Sequence, residues 1–368
     1  MTVRMGRYHW FWSSLIIIVL VLFTRWRWQA TESLRFVRNM GIGFNLGNTL
    51  DVHDLHFDTN NPYDFETYWG NPVTTPQMIA DIKAAGFDVL RIPVSWEDHL
   101  DQDGTVHEEW MDRVQQVVDY ALQEGFCVII NAHHDSWYTP DDDHLDTARK
   151  TMSRLWYQIS ERFASYDERL LFESMNEPRL IGTIEEWTVG TAQAREIVNE
   201  LNDVFVRTVR ASGGMNEERY LLLPTYCART ETTALQDFRL PEGKRLILSV
   251  HLYAPFDFAL NPTGTRDFSA NDALEIERIF KDLQRLFIKR DIPVIITEFS
   301  AIDKGNEQQR SVCVQDILMK SKQSGIACIW WDAGGPAETG KPYPLYNRTS
   351  RQWLFPDLIM ELTGIAIK

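Results

Sequence analysis

Between residues 34 and 368 the chain repeats one rhythm: an apolar run of strand length, a polar loop, an amphipathic stretch, often a glycine, then the next apolar run. The runs are Ile42 to Asn45, Val89 to Val94, Phe126 to Ala132, Leu170 to Met175, Tyr220 to Leu223, Leu246 to Val250, Ile292 to Ile296 and Ile326 to Trp330. Between them, Val114, Val117, Val118, Ala121 and Leu122 keep helical spacing, as do Ile276, Ile279, Phe280, Leu283 and Phe287. Thr75-Pro76 reads as a helix cap followed by proline in the first turn. Strands apolar on both faces that alternate with helices form parallel sheets. Eight such units predict a closed (β/α)8 barrel, although a doubly wound open sheet satisfies the same alternation. No low-complexity linker divides residues 34–368, so a single domain is expected.

The polar residues that interrupt this pattern gather at one end of the strands. Asn45 and Asn48 follow the first run, Arg91 lies in the second, and His133 and His134 close the third. Asn176 and Glu177 end the fourth, His251 and Tyr253 the sixth, Glu298 the seventh, and Trp331 and Asp332 the eighth. Active sites of α/β barrels are assembled on that C-terminal face. Glu177 stands where Pro178 stops a strand, and Glu298 ends a second, distant strand in Thr297-Glu298-Phe299. Two carboxyls facing each other across a cavity can cleave a glycosidic bond, one giving a proton to the departing oxygen and the other attacking the anomeric carbon. Arg91, a permanent cation, favours the ionised form of whichever carboxyl it adjoins. Asn176 can hold a sugar hydroxyl, Tyr253 can bond the nucleophile, and Trp331 can floor a sugar ring. Each residue alone also has a plainer reading, as core or surface.

A net charge of −15 and a pI near 5.1 disfavour a polyanion, nucleic acid included, and are compatible with a neutral ligand. Cys127, Cys227, Cys313 and Cys328 show no metal or redox spacing, and no disulfide is expected. At the N-terminus, Arg4, Arg7 and His9 precede the apolar run Trp10 to Phe23, and Arg25 and Arg27 follow it. Positive residues before a short apolar segment describe an export signal. The run is shorter than the roughly 20 residues of a membrane span, and Trp28 and Gln29 stand where small residues would mark cleavage. Residues 1–33 therefore read as a signal peptide with a poor cleavage site or an uncleaved membrane anchor. Either sends residues 34–368 out of the cytoplasm, secreted or held at a membrane.

Several segments resemble, in order, the motifs of glycoside hydrolase family 5. They are Gly43 to Asp51, Glu66 to Thr75, Arg91 to Trp96, Asn131 to Asp135, Asn176 to Pro178, His251 to Tyr253, Thr297 to Phe299 and Trp330 to Asp332. The likeness spans about residues 34 to 365 and is nearest the endoglucanase and xyloglucanase branch, subfamily 4. The resemblance implies a retaining (β/α)8 hydrolase of β-1,4-glucans that needs no metal or other cofactor, with a monomer expected. It makes Glu177 the acid/base and Glu298 the nucleophile. Arg91, His133, Asn176, His251, Tyr253 and Trp331 match family positions around the cleaved sugar, and Asn48, Asp51 and His134 match positions that touch neighbouring sugars. Trp69 and Trp137 are candidate ring platforms by their chemistry. Ser300 and Ala333 depart from the glycine and asparagine usual at their places, and Ala333 removes a polar group near the mouth.

Two other functions fit parts of the pattern. A metal-dependent amidohydrolase barrel would use His133, His134, His251 and Asp332, but it wants two histidines one residue apart after the first strand. Adjacent strand histidines also point to opposite faces. A non-catalytic glucan-binding surface protein would tolerate loss of one glutamate, and both are present. Cellulose, mixed-linkage glucan, xyloglucan and mannan all remain open as the preferred polymer.

Overall fold

The computed structural model describes residues 32–55, 59–335 and 343–366. Eight strands form the main sheet: β1 (Gly43–Leu46), β2 (Val89–Ile92), β3 (Cys127–Asn131), β4 (Leu170–Glu173), β5 (Leu221–Pro224), β6 (Leu246–Leu252), β7 (Val294–Phe299) and β8 (Ala327–Asp332). They pair in sequence order, all parallel, and β8 closes on β1, which decides between barrel and open sheet in favour of the barrel. Each strand is followed by a helix, namely α1 (Pro76–Ala84), α2 (Glu108–Gln123), α3 (Leu145–Arg162), α4 (Ala192–Ala211), α5 (Thr232–Asp237), α6 (Ala270–Leu286), α7 (Glu307–Ser324) and α8 (Pro356–Thr363). At α1 the Thr75 side chain accepts from the Met78 N–H, and Pro76 fills the first turn as its sequence suggested. The segment expected to direct export lies outside the described residues.

The period of two along each strand builds the barrel in layers. Val89, Ile129, Leu171, Ile247, Ile295 and Ile329 point inward and fill the base. Two residues on, the inward positions are Arg91, Asn131, Glu173, Ser249, Thr297 and Trp331, so a polar layer rests on the apolar one. The outward residues, Leu90, Ile92, Val128 and Ile130 among them, pack under the helices. A helix at residues 32–38, beginning two residues before the expected domain boundary, caps the base. From it Phe36 stacks on Tyr220 at 3.9 Å, Glu32 accepts from Arg245 at 2.8 Å, and Val37 joins the apolar layer with Met40. All four cysteines are free.

One departure from regular pairing matters for the mouth. The β6–β7 register slips after Val250, so that His251 pairs with Glu298, and the β7–β8 register shifts over the same stretch of β7. An extra residue in β7 re-aims its end, a recurrent use of bulges beside sites. Glu298 owes its position to this irregularity.

The β8 end is fixed by Asp332, which is fully buried. Its Oδ1 accepts from Arg348 Nη2 (2.8 Å) and Gly334 N (2.9 Å), and its Oδ2 from Leu345 N (2.7 Å) and Tyr346 N (3.0 Å). Arg348 also donates to the Gly47 carbonyl (2.8 Å) and to Thr49, tying β8 to the loop after β1. Asp332→Ala strands a buried guanidinium and three backbone donors. We expect it to lower unfolding stability by about 3–5 kcal/mol, read from the urea midpoint at constant slope. A loss under 1 kcal/mol would mean that water replaces these bonds cheaply.

Candidate active site

Arg91 is the hub of the polar layer. Its guanidinium is fully buried, and Nε, Nη1 and Nη2 all find acceptors. Nε and Nη2 reach Glu173 Oε2 (2.8 and 2.7 Å), Nη1 donates to Asn45 Oδ1 (2.9 Å) and Glu298 Oε1 (2.7 Å), and Nη2 donates to Asn176 Oδ1 (2.7 Å). Since Asn176 accepts through its oxygen, its amide nitrogen is left to donate towards the mouth. Glu173 was not singled out in the sequence. It also accepts from Asn131 Nδ2 (3.0 Å) and from Ser249 Oγ (2.5 Å). The signal for it was an acid inside an apolar run, at a position that strand alternation turns towards Arg91.

Glu298 receives Arg91 on one oxygen and the Tyr253 hydroxyl on the other (2.8 Å). Glu177 receives His251 Nδ1 at 2.8 Å, and the same nitrogen lies 3.5 Å from Glu298 Oε2. Glu177, His251 and Glu298 each bring one such atom within 4.8 Å of the other two. A gap that short suits direct attack by one carboxyl; a water-activating pair stands about 6.5–9.5 Å apart.

These three groups titrate together. Burial pushes Glu298 up and the charge of Glu177 adds to this, while His251, Arg91 and Tyr253 pull it down; the balance is upward. Burial would also raise Glu177, but the bonded His251 imidazole, with Arg179 and His134 behind it, holds it at about 2. Burial works against a charged His251, yet Glu298 and Glu177 outweigh it and lift the imidazole above its usual 6.5. In the free protein one proton therefore sits on the edge between His251 and Glu177. Arg91 and Tyr253, the partners of Glu298, have no comparable proton to trade.

His133 and His134 depart from their expected orientation. β3 ends at Asn131, so alternation no longer applies, and both rings turn to the mouth with centroids 4.3 Å apart. With Asp51 they form a second group whose atoms fall within 4.8 Å, a composition able to hold a metal. Hydrogen bonding builds it otherwise. Val94 N–H donates to Asn131 Oδ1 (3.1 Å), which points Asn131 Nδ2 at His133 Nδ1 (3.1 Å). That nitrogen must accept, the ring proton lies on Nε2, and His133 meets a ligand as a donor. Burial keeps both imidazoles neutral, His133 well below the usual range and His134 at about 3. Both Asp51 oxygens are taken by backbone donors of its own loop, Thr49 N (2.6 Å) and Asn48 N (3.0 Å). Asp51 thus shapes the loop that presents Asn48.

Trp331 forms the floor, parallel to His133 at 5.7 Å and packed with Tyr253 and Tyr343. Gly47 makes room for it, because a Cβ there would lie 2.7 Å from the indole. Trp69 is half-buried beside His53 and His134, on the β1–β3 side of the mouth. Trp137 is buried in the core beside Tyr138 and does not line the cleft around Glu177 and Glu298. Ser300 and Ala333 are both buried. Around Glu177 and Glu298 opens a cleft of about 660 Å³ that runs from His133 and Trp331 past Tyr343 to the loops after β4, β5 and β6.

The family model described as cellulase, glycosyl hydrolase family 5, matches residues 52–336. Endoglucanase 1 of Ruminococcus albus is 42% identical over 342 residues, covering 92% of this chain and 82% of that one. Endoglucanase A of Clostridium longisporum is 40% identical over 88% of this chain, which spans only 63% of that protein. A solved structure of a GH5-4 broad specificity endoglucanase from Ruminococcus champanellensis with bound cellotriose superposes with a TM-score of 0.86. It is 38% identical and covers 90% of this chain and 97% of its own.

Proposed function

The chain belongs to the cellulase family, glycosyl hydrolase family 5, and from that premise we propose that it hydrolyses internal β-1,4 bonds of glucans with retention of configuration. The observation that carries this is the pair Glu177 and Glu298, bridged by one imidazole nitrogen at the barrel mouth. Glu298, whose oxygens accept from Arg91 and Tyr253, attacks the anomeric carbon from the floor side. Glu177 gives the leaving oxygen the proton that it shares with His251. A neutral sugar entering the cleft strips water from Glu177 and draws that proton onto the carboxyl. Glu177 then takes a proton from the incoming water as the ester to Glu298 is released. Asn176 and His133 offer donors to sugar hydroxyls, and Trp331 lies flat beneath the ring.

Reducing-sugar release from carboxymethyl cellulose, mixed-linkage glucan, xyloglucan and mannan tests the activity and ranks the polymers. Proton NMR of the first product identifies its anomer. An α product, or no release from any of the four, overturns the reading. A protein that binds glucan without cleaving it would appear in the second result.

The pH profile follows from the shared proton. Raised above 6.5, His251 keeps that proton to higher pH than a free histidine. The cluster loses it as pH climbs through the raised value, and leaving-group protonation goes with it. The alkaline limb of kcat/KM is expected above pH 6.5. In His251→Asn the limb should move towards acid, because the proton must then sit on Glu177 alone. An unmoved limb between pH 4 and pH 9 (about the range in which both groups titrate) would assign it to another residue.

We also propose that residues 1–33 remain as a membrane anchor. Flanking arginines and the absence of a small-residue cleavage site support this. The described chain enters at the barrel base, opposite the cleft, an arrangement that would turn the mouth away from the membrane. N-terminal sequencing of native material decides it, since a start near Ala30 or Thr31 refutes the anchor.

A further inference from the structure

Asp135 closes the segment Asn131 to Asp135 and has no part in the mechanism above. It is buried, and its Oδ1 accepts from Trp96 N (2.7 Å) and Glu97 N (2.9 Å), where the short turn Glu97–His99 begins after β2. Glu97 returns the contact. Its two carboxylate oxygens accept from Ser136 N (2.5 Å) and from the Ser136 hydroxyl (2.8 Å). Two acids on neighbouring loops thus hold each other's backbone. Burial pushes the Asp135 carboxyl up to about 7, against the pull of its two backbone donors. Without that carboxyl the Trp96 N–H, on a fully buried residue, would lose its acceptor.

The same stretch of chain carries two imidazoles of the cleft. His133 N donates to the Val94 carbonyl (2.8 Å), and His134 N donates to Ser95 Oγ (3.2 Å). Ser95 Oγ donates in turn to the Asp51 carbonyl (3.0 Å), and the Tyr138 hydroxyl donates to the His133 carbonyl. The backbone of both histidines is therefore registered on Val94 and Ser95, and Asp135 fixes the next two residues of that loop. Both rings line the cleft: His133 lies parallel to Trp331, and His134 packs on His53 at 4.5 Å.

We propose that Asp135, with Glu97 as its counterpart, is a positioning residue for His133 and His134. The reciprocal pair locks the loop after β3 to the loop after β2 and so aims the His133 Nε2–H at the sugar. Neither acid touches substrate or exchanges a proton with it. The substrate, a glucan, rests on the reading above; the lock itself does not. A donor that serves ground state and transition state alike raises KM when it is misaimed and leaves kcat in place. Loss of folded protein does the reverse, since active enzyme falls while KM holds.

The test compares Asp135→Ala, Asp135→Asn and Glu97→Ala with the parent full-length protein on cellopentaose. Asp135→Ala should raise KM on the order of five- to tenfold, about the worth of one neutral hydrogen bond, with kcat held within about twofold. Asp135→Asn keeps an oxygen for Trp96 and Glu97 and should stay close to the parent. Glu97→Ala removes the exposed half of the lock and should raise KM by roughly two- to threefold. A fall in kcat at unchanged KM, or an asparagine variant as impaired as the alanine one, overturns the proposal. Imidazole ¹⁵N shifts of His133 and His134 provide a second readout that needs no substrate. They should move in both alanine variants and hold in Asp135→Asn; unmoved shifts overturn the lock whatever the protein cleaves. Should Asp135→Ala fail to fold, Glu97→Ala carries the same comparison, and an unchanged KM with unchanged shifts there is equally fatal. A parent that cleaves no glucan while the shifts move as expected sinks the glucanase reading alone.

Discussion

Glu298→Ala is expected to abolish turnover on every substrate, polymer or activated aryl glycoside, with kcat reduced by at least ~10⁴-fold. The loss is indifferent to the leaving group because the step removed is formation of the glycosyl ester. Among the described residues no other carboxyl is placed to supply it. Glu177 sits across the cleft on the leaving-group side, and Glu173 is sealed beneath Arg91. The variant should still fold, since Arg91 keeps Glu173, Asn45 and Asn176 as partners. Glu298→Gln, which preserves shape and an acceptor for Tyr253, should be equally inactive and separates loss of the nucleophile from loss of packing. Initial rates on 2,4-dinitrophenyl cellobioside provide the measurement. Residual activity above roughly one per cent of the parent, well beyond ~10⁻⁴, would remove Glu298 from the nucleophile's role.

The barrel was readable in the sequence because both of its signals are local. Apolar runs of strand length alternate with helical spacing, and turn residues punctuate them, as at Thr75-Pro76 and Gly325. Pro178 does not mark the end of β4, which closes at Glu173, four residues before Glu177. The placement of the carboxyl pair required more. That Glu177 and Glu298 share a histidine depends on the slip in register after Val250, which no local pattern announces. Glu173 was overlooked for a related reason. A strand buried on both faces shows no alternation of polarity, so an inward acid looks like any other interruption until Arg91 is seen opposite it. His133 and His134 were oriented by strand parity, and the strand had already ended at Asn131. Trp137 has platform chemistry, yet only the packing reveals that it lies in the core and off the cleft around Glu177 and Glu298.

Glu177→Ala should fail in a different way from Glu298→Ala, and that difference separates the two roles. On glucan, where the leaving group needs a proton, kcat/KM should fall by about 10²–10⁴-fold, the usual worth of a positioned general acid. On 2,4-dinitrophenyl cellobioside the leaving group departs without help, so Glu298 still forms its ester. The second step then lacks a base, and the glycosyl-enzyme should accumulate as a burst of dinitrophenol followed by slow turnover. Azide needs no deprotonation, is small enough to occupy the space left by the Glu177 side chain, and should attack the ester in place of water. The expected product is a β-cellobiosyl azide, retained because two inversions have occurred, with the rate rising in proportion to azide. His251, lacking Glu177, keeps Glu298 as its only carboxylate partner within 4 Å among the described residues, and this helps the nucleophile remain ionised. Should azide instead rescue Glu298→Ala with an inverted product while leaving Glu177→Ala inert, the nucleophile is still Glu298, but Glu177 is more than its acid. Rescue of Glu298→Ala with a retained product would exchange the two assignments, and the upward push that burial and Glu177 exert on Glu298 would then be the property that matters in the reaction.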